Sequence, residues 1–376
     1  MIWGFLISFT LLCIYSFTRV DLNLTLYNFK LITPYLNYLK QLGYYNRTIS
    51  TLIYLILIIL IFFFYFKLIA NLSLFKNKLK YTLIFTSILG MIAYPMFSHD
   101  IFNYLFNAKM ILVYQSNPHL HTALEFASDS WTRFMHNTHT AAPYGHAWTL
   151  ISLIPVYLGL PNFTLSLWFT KTLITIFFFL EIYIFSRLAK VIFPKDFLKR
   201  TLTLALNPLI LIETLIMGHN DSLMMFFIFL SFYLLEINSN IKNKVKNKIL
   251  SCISFFASVS VKYATIVLAP ILIFKHKIKD IYSVSGLILL LILLSRPGQL
   301  NSWYLHWGIS FLLLSKNKRL TTLGILLSIG GLLRYAPFIY YGHWSFPVTI
   351  QRWVLLILPV VFIIPITTIY EKITKK

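Results

Sequence analysis

The chain has 376 residues, of which 58% are hydrophobic and 12% charged, and its mean hydropathy is +0.74. A soluble domain carries about 25% charged residues, so there are too few charges here to coat a water-exposed surface of this size, and a soluble globular fold is excluded. The net charge of +22 does not indicate nucleic-acid binding, because the basic residues sit in short clusters between apolar blocks, as they do in the cytoplasmic loops of membrane proteins.

A helix needs about 20 mostly apolar residues to cross a bilayer. Apolar blocks, several of them short, fall at 2–18, 49–70, 81–97, 163–192, 201–217, 222–237, 249–262, 264–275, 281–295, 303–315, 320–340 and 347–370. They predict an all-α, polytopic transmembrane helical bundle of about 12 spans, with residues 1–376 forming a single domain. The first block lacks a basic n-region and a small-residue cleavage site, so it reads as a retained span and not as a signal peptide. Cys13 and Cys252 lie in apolar blocks and offer neither a disulfide framework nor a metal site.

A further apolar stretch, 147–160, is short and flanked by Pro143 and Pro161. Treated as a half-helix, it leaves the basic clusters at 76–80, 195–200, 242–248, 275–279, 316–319 and 372–376 on one side. By the positive-inside rule that side is cytoplasmic, and both termini join it. The longest outer segment, 98–146, carries aromatic residues, histidines and acids and is predicted to fold as amphipathic helices on the membrane surface.

Acids are scarce, so each can be weighed. Asp196, Glu236, Asp280 and Glu371 accompany basic clusters and read as solvated charges. Glu181 falls inside a span, where a carboxylate is costly and usually paired; Lys171 and Arg187 are the nearby cations, at spacings that fit one helical face poorly. Asp100, in the run Ser98 to Tyr104, stands where the third block meets the outer surface. A half-shielded carboxylate suits a general base, whereas the plain alternative is a helix cap by Ser98 or Asp100.

A second cluster, Gly218-His219-Asn220-Asp221-Ser222, separates two apolar blocks, with Gly218 breaking the first helix and Asp221 able to cap the next. A third is cationic. Lys262 lies between two short apolar halves, where it can hold an anion at the outer corner or simply snorkel. Arg296 opens the next outer loop, followed by Trp303, Tyr304, His306 and Trp307; the aromatic residues alone would be an interfacial belt.

The order of these pieces resembles the GT-C superfamily, and within it the bacterial integral-membrane mannosyltransferases that use polyprenyl-phosphate mannose. The family's acidic first-loop pattern is matched by Asp100-Ile101-Phe102-Asn103-Tyr104, and its next turn by Gln115-Ser116-Asn117-Pro118-His119. Its Tyr-Gly-Pro-like turn reads Pro143-Tyr144-Gly145-His146. The Asn-Pro pair is Asn207-Pro208, the Gly-His-Asn-Asp motif is 218–221, the Val-Lys-Tyr motif is 261–263, and the Trp-Tyr-Leu-His-Trp loop is 303–307. Many relatives carry two adjacent acids in the first loop, where this chain has His99-Asp100, which weakens any metal-bridged acid pair.

The resemblance implies a GT-C-like fold and transfer of a sugar from a polyprenyl-phosphate donor to an acceptor hydroxyl on a glycan or glycolipid. Transfer would occur at the outer face of the cell membrane, with inversion. Asp100 would be the base. Lys262 and Arg296 would neutralise the departing phosphate, and His99, Tyr104, Tyr144, His219, Asn220, Asp221, Trp303, Tyr304 and His306 would bind substrate. No cofactor is implied with certainty, and a divalent cation is left open. A lipid-linked-sugar flippase or transporter shares the hydropathy. It should show internal repeats and midplane polar residues, whereas here the polar clusters gather on one face.

Overall fold

The computed structural model describes residues 1–21, 30–237, 241–295, 298 and 300–374. Among the described residues 78% are helical and no strand occurs. The first half holds α1 (Ile2–Ser16), α2 (Thr33–Tyr44), α3 (Arg47–Ala70), α4 (Leu72–Ile92), α5 (Asp100–Leu112), α6 (His146–Gly159), α7 (Phe163–Ile192) and α8 (Phe197–Ala205). The second half holds α9 (Pro208–Leu211), α10 (Asp221–Glu236), α11 (Ile241–Val261), α12 (Ala269–Ile273), α13 (Ile281–Leu294), α14 (Leu305–Leu312), α15 (Lys318–Leu333), α16 (Tyr335–Tyr341) and α17 (Val348–Thr374).

Among the described residues, four helical segments are long and apolar enough to cross a membrane: Ile2–Arg19, Arg47–Ala70, Phe163–Ile192 and Lys318–Tyr341. A bent pair, Pro208–Ile216 with Asp221–Glu236, makes a fifth if counted as one span, and four further apolar helices are shorter. Large apolar side chains such as Ile56, Ile59, Phe63, Tyr183 and Phe362 stand exposed on these helices, as a lipid-facing surface requires.

Two expectations from the sequence change. The block at 201–217 is not one straight helix. Asn207 caps a new helix with its side chain, accepting from the backbone N–H groups of Leu209 and Ile210, and Pro208 occupies the first turn, where its missing N–H costs nothing. The chain then makes a π-helical turn, Ile212–Ile216, and bends by 120° at the Gly218 break.

The 98–146 segment also departs from amphipathic surface helices. Its single α-helix, α5, is buried from Ile101 to Ala108 and packs on α6 and α7. The residues beyond it form short 3-10 turns, Ala123–Phe126 and Thr132–Phe134, because Asn, Pro, Ser, Thr and His dominate there and favour local side-chain bonds over helix.

That segment has its own anchor in Asp129. Its carboxylate accepts from Lys109 at 2.6 Å, the Tyr114 hydroxyl at 2.7 Å and the Trp131 N–H at 2.8 Å. Lys109 also lies over the Trp131 ring, 4.3 Å from its centroid. The interior is tied by buried hydroxyls that reach across the bundle, with Tyr54 donating to the Leu332 carbonyl and Tyr65 to that of Thr203. Such bonds satisfy polar groups that lipid could not.

Candidate active site

Asp100 is the first residue of α5. The helix has no side-chain cap: His99 holds the cap position without a capping bond, and the Asp100 N–H donates to Ser98 Oγ at 3.3 Å. The carboxylate is therefore not spent on the helix end. It lines a cavity of about 320 Å³ together with His99, Asn103, His136, Asn301, Trp303, Arg334, Tyr335, Trp344 and Arg352. Its side chain is 20% exposed. Burial raises its pKa to about 6, although the Lys262 charge and the Tyr144 hydroxyl pull it down. A carboxylate poised near neutrality in a polar cavity can take a proton from a hydroxyl.

The motif at 218–221 stands directly behind Asp100. Gly218 has φ +78°, a left-handed conformation that glycine adopts without strain, and an added Cβ would meet Ile101 of α5 at 2.5 Å. This contact seats His219 beside the carboxylate. His219 Nδ1 lies 3.7 Å from Asp100 Oδ2, and Nε2 lies 3.5 Å from Glu213 Oε2. The ring stacks on Trp303 at 4.1 Å. Asn220 accepts from the Tyr104 hydroxyl at 3.4 Å.

Asp221, like Asp100, begins its helix without a capping bond. Its Oδ1 accepts from Lys262 at 2.7 Å and from the Trp307 indole. Lys262 sits at the extended corner after α11, over the rings of Tyr304 and Trp307. Gly145 locks that corner to the Tyr144 turn. Its N–H donates to the Val261 carbonyl at 3.0 Å, and a Cβ there would fall 2.0 Å from the Ser260 carbonyl oxygen. Tyr144 packs edge-on against Tyr104 at 4.7 Å and accepts from Asn103 at 3.5 Å.

The structure thus brings His99, Asp100 and Trp303 to one cavity, with His219, Asn220, Asp221, Tyr104 and Tyr144 packed behind it. Lys262 is held by Asp221 and does not line the cavity, and Tyr304 stands beneath it. His306 points elsewhere: it is fully buried and meets Glu181 Oε1 at 2.8 Å. Glu181 therefore pairs with His306 and with neither Lys171 nor Arg187. Lys171 donates to the carbonyls of Gly90 and Ala93, and Arg187 to the Tyr233 hydroxyl. Arg296 lies outside the described residues.

The sequence reading passes over three charged residues of this region. Arg334, 4% exposed, uses Nη2 on the Leu300 carbonyl at 2.6 Å, while its Nε and Nη1 are buried without a hydrogen-bond partner. Arg352 donates to the Gly298 carbonyl at 3.3 Å and leaves its Nε unpartnered. Glu213, on the π turn, accepts from the Tyr335 hydroxyl at 2.8 Å. Charged groups inside apolar blocks are functional signals by default, and that signal was available at all three.

Comparison with known proteins decides the family. The family described as alpha-(1->6)-mannopyranosyltransferase, N-terminal domain, matches residues 11–276. The chain belongs to that family. It is a membrane glycosyltransferase of the mannosyltransferase kind, as the GT-C resemblance implied. No curated protein and no solved structure matches it. The matched region contains Asp100, the 218–221 motif and Lys262, whereas Trp303, Arg334 and Arg352 lie beyond it.

Proposed function

We infer that this mannosyltransferase takes its sugar from a polyprenyl-phosphate donor and passes it, with inversion, to an acceptor hydroxyl in the Asp100 cavity. The observation that carries the reading is the pairing, in one cavity, of a single carboxylate with Arg334 and Arg352, whose guanidinium groups keep unpartnered donors. A cationic fork matches a phosphate. The Trp303, Tyr335 and Trp344 rings on the same walls suit the faces of a sugar.

The reaction follows from these parts. Asp100 removes the acceptor proton as the oxygen attacks the anomeric carbon. The bond from that carbon to the phosphate oxygen breaks, and the lipid phosphate leaves as an anion. It needs little protonation, so a second carboxyl acid is unnecessary, unlike in inverting glycosidases. Arg334 and Arg352 stabilise the charge that grows on the leaving oxygen. Lys262 holds Asp221 in place and, through its field, favours the ionised form of Asp100.

An apolar cavity of about 390 Å³ supports a lipid donor. It is lined by Tyr263, Ile266, Val267, Leu293, Leu300 and Tyr304 among others. Leu300 links it to the polar cavity, since its carbonyl accepts from Arg334 on that cavity's wall. The prenyl chain would lie on the apolar side and the sugar phosphate on the other.

In this reading the short apolar helices join the longer ones in a GT-C-like bundle of about 12 crossings. Both termini lie in the cytoplasm by the basic clusters, and the cavity opens outside. Purified protein given labelled polyprenyl-phosphate mannose and a mannoside acceptor should transfer the label, and Asp100→Asn should abolish transfer with folding intact. Transfer by that variant at the wild-type rate would remove Asp100 from the mechanism.

A further inference from the structure

Three side chains able to ligate a metal meet beside the cavity, two of them on its wall, each from a different segment. Asp21 follows the 3-10 turn Phe17–Arg19 that extends α1, His99 directly precedes α5, and His136 belongs to the loop after Thr132–Phe134. One ligand atom from each lies within 4.8 Å of the other two. His99 Nε2 is 3.8 Å from Asp21 Oδ2, and the two imidazole rings meet edge to face with centroids 3.6 Å apart. His99 Nδ1 is buried and has no hydrogen-bond partner.

We propose that Asp21, His99 and His136 form a binding site for a divalent transition metal of the zinc class. Two imidazoles with one carboxylate select such an ion over magnesium or calcium, which prefer all-oxygen shells. Zinc bonds of ~2.0–2.2 Å put ligand atoms of a tetrahedron about 3.4 Å apart. The ligand atoms, now within 4.8 Å of one another, would have to close to that value around the ion. Three protein ligands leave one position open, as in sites where a metal takes water or a substrate oxygen. His99 and His136 also line the Asp100 cavity, so the ion would stand at its wall. It would also tie the loop carrying His136 to the end of the first helix. The site does not depend on the identity of the donor.

Metal binding tests this directly. Full-length protein, carrying a tag other than oligohistidine, is stripped with chelator, equilibrated with micromolar zinc, desalted and measured for metal by mass spectrometry. About one zinc per chain should remain, and excess magnesium should not displace it. His136→Ala and Asp21→Ala should each bind more weakly by no less than the ~10–100-fold that losing an outer-shell partner costs, at unchanged thermal stability in chelator. His136→Cys, which keeps a zinc ligand, should retain the ion and serves if the alanine variant does not fold. Less than stoichiometric zinc in the wild type, or undiminished zinc in both alanine variants, would overturn the site. Either result leaves the role of Asp100 in transfer untouched.

Discussion

Replacing Arg334 by Gln tests the phosphate role where the structure is most specific. The guanidinium spends Nη2 on Leu300 and keeps Nε and Nη1 buried and unpartnered. A hydrogen bond to a charged group contributes about 1.5–3 kcal/mol. Two such bonds to a phosphate come to roughly 3–6 kcal/mol, or about 10²–10⁴ in kcat/KM. Lysine keeps the charge but loses the planar fork, so Arg334→Lys should fall between, at roughly 10–100-fold below wild type. The assay is transfer from polyprenyl-phosphate mannose over a range of donor concentrations, with thermal stability measured in parallel. Losing the Leu300 bond alone would cost about 1.5–3 kcal/mol of stability and lower activity only in proportion to the folded fraction. A folded glutamine variant within threefold of wild type, or a loss that tracks unfolding, would refute the assignment.

Further outcomes are expected. With chelator present, kcat/KM should fall about tenfold per pH unit below pH ~6, because only ionised Asp100 accepts the proton and burial raises its pKa to about 6. Lys262→Met should move that limb upward, since the lysine field lowers the pKa; an unmoved limb would mean another group titrates. Asp129→Asn should loosen the 98–146 segment by roughly 3–5 kcal/mol, the cost of breaking a buried pair, read as protease cleavage within 113–145. Burial pushes the Asp129 pKa up, but Lys109, the Trp131 N–H and Tyr114 outweigh it and the net shift is downward. Its contribution is therefore present above an unfolded pKa of ~3.9 and lost only as pH falls through the lower folded value, so wild-type protection should persist at pH 5. Gly145→Ala should lower both stability and kcat, because its Cβ collides with the Ser260 carbonyl and displaces Tyr144; a variant with wild-type kcat would show that this turn does not position Asp100.

Much of this protein is set by composition and order along the chain. Too few charges for a water-exposed surface made a membrane bundle unavoidable, and 163–192 was already legible as one long helix. Asp100, the 218–221 motif and Trp303 stood out because polar residues at the edges of apolar blocks are rare and their spacing matched a known family. Capping, the plain alternative for Asp100 and Asp221, is a local matter, yet only coordinates could show that neither carboxylate makes the bond.

What the chain order could not convey is partnership across the bundle. Lys262 reads as a free cation in sequence, but packing gives it to Asp221, 41 positions away. Glu181 finds His306 across 125 positions, and Arg334 and Arg352 reach the Asp100 cavity from the last helices. A charge inside an apolar block is visible locally. Its meaning depends on which helix lies opposite, and in a low-dielectric interior the nearest opposite charge or open cavity decides whether it is neutralised or left to bind substrate.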